Sequence, residues 1–228
     1  MNTGRKTAIL VGAFFLTAMV TYLLGASIIE SVLGAPDFLA NVSANETQVV
    51  LGALLELINC LAVVGIAVTI YPIFSRHNEA LAMGYVAFRV IEATLLVIAA
   101  LSPLTLIALS QEYLTAGSAA AAYYQPLGAV LVAARTHLAG LLLTVFFSLG
   151  ALMFYYFLYR SKLVPRWLSA WGLIAALLVL AWNLLETFGF SINAGIVFGL
   201  PIILNEITLG IWLIVKGFNP SVIIPESA

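Results

Sequence analysis

Six apolar stretches, near residues 7–33, 47–74, 80–109, 130–159, 167–190 and 196–216, each reach the roughly 20 helical residues needed to cross hydrocarbon. Inside a bilayer every backbone N–H and C=O must be satisfied internally, so continuous apolar stretches of this length predict helices. The expected fold is all-α: one polytopic membrane domain over residues 1–228 with six transmembrane helices. Composition agrees, at 63% hydrophobic and only 8% charged, with a mean hydropathy of +1.12. A soluble domain is nearer half apolar and a quarter charged. The first run follows Arg5-Lys6 and superficially resembles a signal peptide. It continues to about Val32 without an Ala-x-Ala site, so it reads as an uncleaved span.

The cationic residues orient the spans. Seven of the nine Lys and Arg lie at span ends or in loops: Arg5, Lys6, Arg76, Arg160, Lys162, Arg166 and Lys216. With six spans, all seven fall on the side of both termini, and the loops near 34–46, 110–129 and 191–195 contain none. The positive-inside rule then predicts cytoplasmic termini. Tyr155, Tyr156, Tyr159, Trp167 and Trp171 gather near the same side, as interfacial anchors do. Pro165 suits the start of the fifth span, and Pro72, Pro103 and Pro201 are expected to kink spans two, three and six. Gly195 and Gly199 form a small-xxx-small pattern for close helix contact. The 110–129 loop is expected to be a connector, although it is long enough for a lid or interfacial helix. A net charge of −1 without a basic run excludes nucleic acid as a partner, leaving the lipid bilayer.

Eleven polar or ionisable side chains interrupt the apolar spans: Glu30, Glu56, Asn59, Arg89, Glu92, Arg135, His137, Asn183, Glu186, Asn205 and Glu206. Charge at bilayer depth is costly, so such residues face a protein interior or a wet cavity. Counting ~1.5 Å per residue from the cytoplasmic ends places Arg89, Asn205 and Glu206 at ~15 Å and Glu92 at ~19 Å. Asn59 and Asn183 fall at ~22–24 Å, Glu56 and Glu186 at ~27 Å, and Glu30, His137 and Arg135 at ~33–36 Å. Glu56 with Asn59, Arg89 with Glu92, and Asn183 with Glu186 are each i,i+3 pairs that share a helix face. Arg135 and His137, two apart, point to nearly opposite sides.

This pattern predicts an acidic crevice built by spans two, three, five and six, open to the outside and closed toward the cytoplasm. Arg89 and Glu206 are expected to pair at its floor, and Glu56 with Glu186 is the preferred functional pair. Glu30, Arg135 and His137 would form the rim. Each residue also has a plainer reading. Arg89 with Glu92 or Glu206 can be a register-fixing clamp, Asn59 and Asn183 interhelical glue, and Glu30 and Arg135 solvated span ends.

Several chemistries find no support. Cys60 is the only cysteine, so no internal disulfide or thiolate metal site forms. No His-Glu-x-x-His or other histidine pair for zinc occurs. His77 falls in a cytoplasmic turn away from the embedded His137, so no haem held by two embedded histidines and no other cofactor or metal is expected. No nucleophile elbow or phosphate loop occurs. Carboxylates plus amides make an oxygen-rich site suited to a hard cation, an organic cation or protons. The leading expectation is a protein that binds or transports a small cationic or polar ligand. Alternatives are a membrane enzyme using a glutamate as general base, and a structural or regulatory subunit.

Four blocks carry a family resemblance: Phe88-Arg-Val-Ile-Glu-Ala93, Phe157-Leu-Tyr-Arg-Ser-Lys-Leu-Val-Pro-Arg166, Trp167-Leu-Ser-Ala-Trp-Gly172 and Asn205-Glu-Ile-Thr-Leu-Gly-Ile-Trp-Leu-Ile-Val-Lys-Gly217. By their order and spacing, the chain resembles the multi-pass membrane proteins of domain-of-unknown-function family 4386 (DUF4386), from about residue 6 to 218. The resemblance implies a bacterial inner-membrane protein. It implies no substrate, reaction or cofactor.

Overall fold

The computed structural model of the chain describes residues 3–116, 121–190 and 195–223. Among these residues all regular secondary structure is helical, without strands. The long helices are α1 (Thr3–Leu33), α3 (Glu46–Phe74), α4 (Glu79–Ala116), α7 (Arg166–Thr187) and α8 (Gly195–Val215). The fourth span is α5 (Ala121–His137) and α6 (Leu143–Ser161), joined by a π-helical turn over Leu138–Leu142. Short helices α2 (Phe38–Ala44) and α9 (Pro220–Ile223) complete the chain. Six of these helical segments are long and apolar enough to cross a membrane. Large apolar side chains are exposed on all of them, including Leu61, Val130, Ile174 and Val215, as a lipid-facing surface requires.

The spans close into a ring: α1 packs on α3, α3 on α4, α4 on α6, α6 on α7, α7 on α8, and α8 returns to α1. Two glycine contacts hold α1 in place. A Cβ at Gly12 would sit 2.6 Å from the Gly210 carbonyl oxygen of α8, and one at Gly25 would sit 2.9 Å from that of Gly52 on α3. Between lipid-facing helices, where no hydrophobic force drives association, such close backbone approach supplies the packing. Gly195 abuts Trp182, but Gly199 meets nothing within 4 Å, so the expected pair does not act as one contact.

The start of α1 and the end of α8 lie together at one end of the ring. Arg5 donates to the carbonyl oxygens of Leu213 (3.3 Å), Ile214 (2.7 Å) and Val215 (3.1 Å), covering the unpaired C-terminal carbonyls of α8. Above that end an aromatic layer fills the ring. Phe74 stacks on Phe157 at 3.6 Å between ring centres, and Phe15, Tyr85, Phe154 and Tyr155 pack around them. The opposite end has its own apolar cluster of Val32, Leu39, Val42, Val49 and Leu106. There Asp37 caps α2 through the Ala40 amide and accepts from Tyr113 and Gln125, tying α2 to the α4–α5 hairpin.

Most of the 110–129 segment is helical rather than a connector. α4 runs on to Ala116 and α5 starts at Ala121, lengthening the fourth span from the expected 130–159. The alanines that look like filler are the strongest helix formers. Residues 117–120 and 191–194 lie outside the described residues.

Candidate functional site

The ring encloses a cavity of about 220 Å³ on the far side of the aromatic layer, and all six spans contribute to its wall. Its charged members are Arg89 and Glu92 from α4 and Glu206 from α8; Asn59 and Thr144 add polar groups. The remaining wall is apolar, with the aromatic rings of Phe15, Tyr22, Phe147 and Trp182. Leu23 of α1 and Gly199 of α8 both line the cavity; Leu23 is partly exposed and Gly199 has open space beside it.

The three charges are unequally partnered. Arg89 Nη1 donates to Glu92 Oε2 at 2.8 Å within one helix, and its guanidinium lies 6.0 Å from the Tyr85 ring centre and 5.8 Å from that of Phe147. Arg89 Nε is buried without a protein partner. The Arg89–Glu92 pair is internal to α4, and the guanidinium also bridges to α6 through the Phe147 ring, so a register-fixing role remains compatible with it. Glu206 has no hydrogen bond and no ion pair among the described residues, and its carboxylate opens onto the cavity. The expected Arg89–Glu206 pairing is not made within 4.0 Å, although Arg89 is close enough to act on Glu206 electrostatically. Beneath the cavity a void of about 10 Å³, bordered by Tyr85, Arg89, Tyr155 and Glu206, is at the lower limit for one water. The Tyr155 hydroxyl beside it has no protein partner.

Glu56 is not part of this wall. Arg135 Nη2 donates to Glu56 Oε1 at 2.5 Å and Nη1 to Oε2 at 3.2 Å, with a further bond to the Ala99 carbonyl at 3.3 Å. Both residues are buried, so Arg135 is a core residue and not a rim residue. The π turn explains how it turns inward. In an unbroken α-helix Arg135 and Phe147 would differ by ~120° around the axis; the extra residue of a π turn removes ~100° of that. Arg135 and the cavity-lining Phe147 thus share one face. This α3–α5 pair is therefore a register-fixing clamp.

The other expected site residues scatter. Glu186 is exposed in the last turn of α7, where Leu184, Leu185 and Thr187 are exposed too, so the Glu56–Glu186 pair does not form. An i,i+3 pair shares a face only while both residues have neighbours, and the packing on α7 ends near Asn183. Asn183 is buried but outside the cavity wall, with its Oδ1 unpartnered. Asn205 is fully buried and donates to the Leu168 carbonyl at 2.9 Å, which is interhelical glue. Asn59 donates to the Ala18 carbonyl at 2.8 Å while also lining the cavity. Glu30 and His137 are exposed. Of the eight residues expected to contact ligand, Asn59, Arg89, Glu92 and Glu206 meet at one cavity. An acid–base site shared by Glu56, Glu186 and Glu206 is not assembled.

Sequence reasoning overlooked the aromatic wall and the contributions of the first and fourth spans. An aromatic residue in an apolar helix carries no sign of whether it faces lipid or a cavity. Trp182 offered the one available signal, since it directly precedes the embedded Asn183, and its buried indole Nε1 has no protein partner. Among the described residues no group of three His, Cys, Asp or Glu gathers to hold a metal.

The family model described as a domain of unknown function (DUF4386) matches residues 10–217, most of the chain. No curated protein and no solved structure matches it.

Proposed function

The chain belongs to the DUF4386 family, whose description assigns no chemistry, and we propose from its own cavity that it binds a small organic cation at membrane depth. The observation that carries this reading is the Glu206 carboxylate, which faces an enclosed space without a cationic partner. A carboxylate taken out of water must gain a cation or a proton. Arg89 is already bonded to Glu92, so the wall carries one uncompensated negative charge when both glutamates are ionised.

The rest of the wall favours an organic cation over a hydrated metal ion. Phe15, Tyr22, Phe147 and Trp182 line the cavity, and aromatic rings suit both the charge and the apolar body of such a ligand. A dry cavity of about 150 Å³ holds benzene, so 220 Å³ accommodates an amine with a body of roughly that size. Access is between α1 and α8, toward the lipid, with the aromatic layer closing the other direction. Transport would require that layer to open in a second conformation. The distribution of Lys and Arg supports cytoplasmic termini, and the family resemblance implies a bacterial inner-membrane location.

The test is calorimetric titration of the full chain with benzylammonium and with its neutral isostere, benzyl alcohol. The ammonium should bind, the alcohol should bind at least about tenfold more weakly, and Glu206→Gln should abolish that difference, tenfold being the loss of one modest charge contact. Equal binding of both probes, or an unchanged preference in Glu206→Gln, overturns the reading.

A further inference from the structure

At the end where α1 starts and α8 finishes, an open surface cavity of about 470 Å³ lies between the α6–α7 turn and the residues that follow α8. Lys162, Arg166 and Lys216 line it together, and among the described residues no acidic one does. None of the three joins an ion pair among the described residues, where the pairs are Arg89–Glu92 and Arg135–Glu56. Arg166 is steered by the Tyr159 ring, 5.3 Å from its guanidinium carbon. Three cations around one concavity repel each other, and an anion between them would relieve that repulsion.

The cavity is built rather than incidental. The Asn219 amide donates to the Leu163 carbonyl at 2.8 Å, and its Nδ2 to that of Lys162 at 3.5 Å, fixing the two walls to each other. Lys162 ends α6 with φ +58°, the only positive φ outside glycine among the described residues. Helices commonly end this way on glycine or asparagine, because a Cβ is disfavoured there. A lysine in that position retains a strained backbone and gains an ammonium on the cavity wall. Trp212 lines the same cavity, and its ring meets Trp167, which stacks on Trp171. Such a tryptophan group sits at the headgroup level of a bilayer.

We propose that this basic cavity is a phosphate-binding site, filled by the phosphate of an anionic lipid or of a soluble phosphate compound. The tryptophan level favours the lipid, since basic pockets between spans hold anionic headgroups. This site is independent of the organic-cation cavity, which lies beyond the aromatic layer.

The test is native mass spectrometry of the full chain with phosphatidylglycerol, with phosphatidylcholine, and with inorganic phosphate as competitor. Phosphatidylglycerol should be retained at least about tenfold over phosphatidylcholine, and the preference should disappear in a Lys162→Gln/Arg166→Gln/Lys216→Gln variant. A Lys6→Gln/Arg76→Gln variant removes two cations from the same end outside the cavity and should keep the preference. Lys162→Gly should weaken lipid retention while raising thermal stability, an opposition that a purely structural lysine would not produce. Full displacement of lipid by inorganic phosphate assigns the site to a soluble phosphate compound. Retained preference in the triple variant, or equal loss in the Lys6/Arg76 control, overturns the proposal.

Discussion

Removing one member of the Glu56–Arg135 pair should be the most damaging single polar substitution in the protein. The carboxylate is 1% exposed and the arginine side chain 9%, so neither can turn to solvent when its partner is lost. Glu56→Gln leaves a buried guanidinium with the Ala99 carbonyl and a neutral amide in place of a carboxylate. Two charge-assisted hydrogen bonds are weakened, each worth ~1.5–3 kcal/mol, and stranding one charge of a buried pair costs ~3–5 kcal/mol. For a chain of this size that corresponds to a fall of roughly 10 °C in the thermal midpoint. The double variant Glu56→Leu/Arg135→Met removes both charges, and such replacements are often neutral or stabilising. It should therefore recover most of the loss. The assay is thermal unfolding of purified protein in one detergent, comparing wild type, each single variant and the double. Single variants within about 2 °C of wild type, or a double variant as unstable as the sum of the singles, would refute a desolvated, directly coupled pair.

Gly12→Ala should destabilise the protein by ~1–3 kcal/mol, because the new methyl meets the Gly210 backbone oxygen at 2.6 Å; unfolding midpoints check this. Gly140→Ala, with nothing within 4 Å, should change stability by less than ~1 kcal/mol in the same assay. Arg5→Gln should cost ~1 kcal/mol by uncovering the last carbonyls of α8, seen as faster hydrogen exchange at the end of that helix. Binding of benzylammonium should weaken as pH falls, since a proton on Glu206 removes the charge that the ligand meets. Titrations at several pH values should show that dependence in wild type and lose it in Glu206→Gln.

The six spans and their all-α fold were legible because the bilayer leaves the backbone no alternative. Depth counting was also informative: Arg89, Glu92, Asn59 and Glu206 do line one cavity, although they come from three helices. Partner assignment was not legible. Arg135 looked peripheral because its rotation about the axis depends on a π turn that no residue pattern in Leu138–Leu142 announces. Glu186 looked central because helical spacing records a shared face but not where neighbouring helices stop. Trp182, Phe147, Tyr22 and Phe15 stand in predominantly apolar helices, as lipid-facing aromatics also do, so only packing reveals that they enclose a space.

Trp182 offers the most direct test, because the other tryptophans, Trp167, Trp171 and Trp212, cluster at the opposite end of the bundle. With those three replaced by phenylalanine, fluorescence reports on the cavity alone. Adding benzylammonium should produce a saturable change that Glu206→Gln weakens at least about tenfold. Absence of any change at millimolar ligand, or the same titration curve in Glu206→Gln, would contradict a cation held by that carboxylate among aromatic walls.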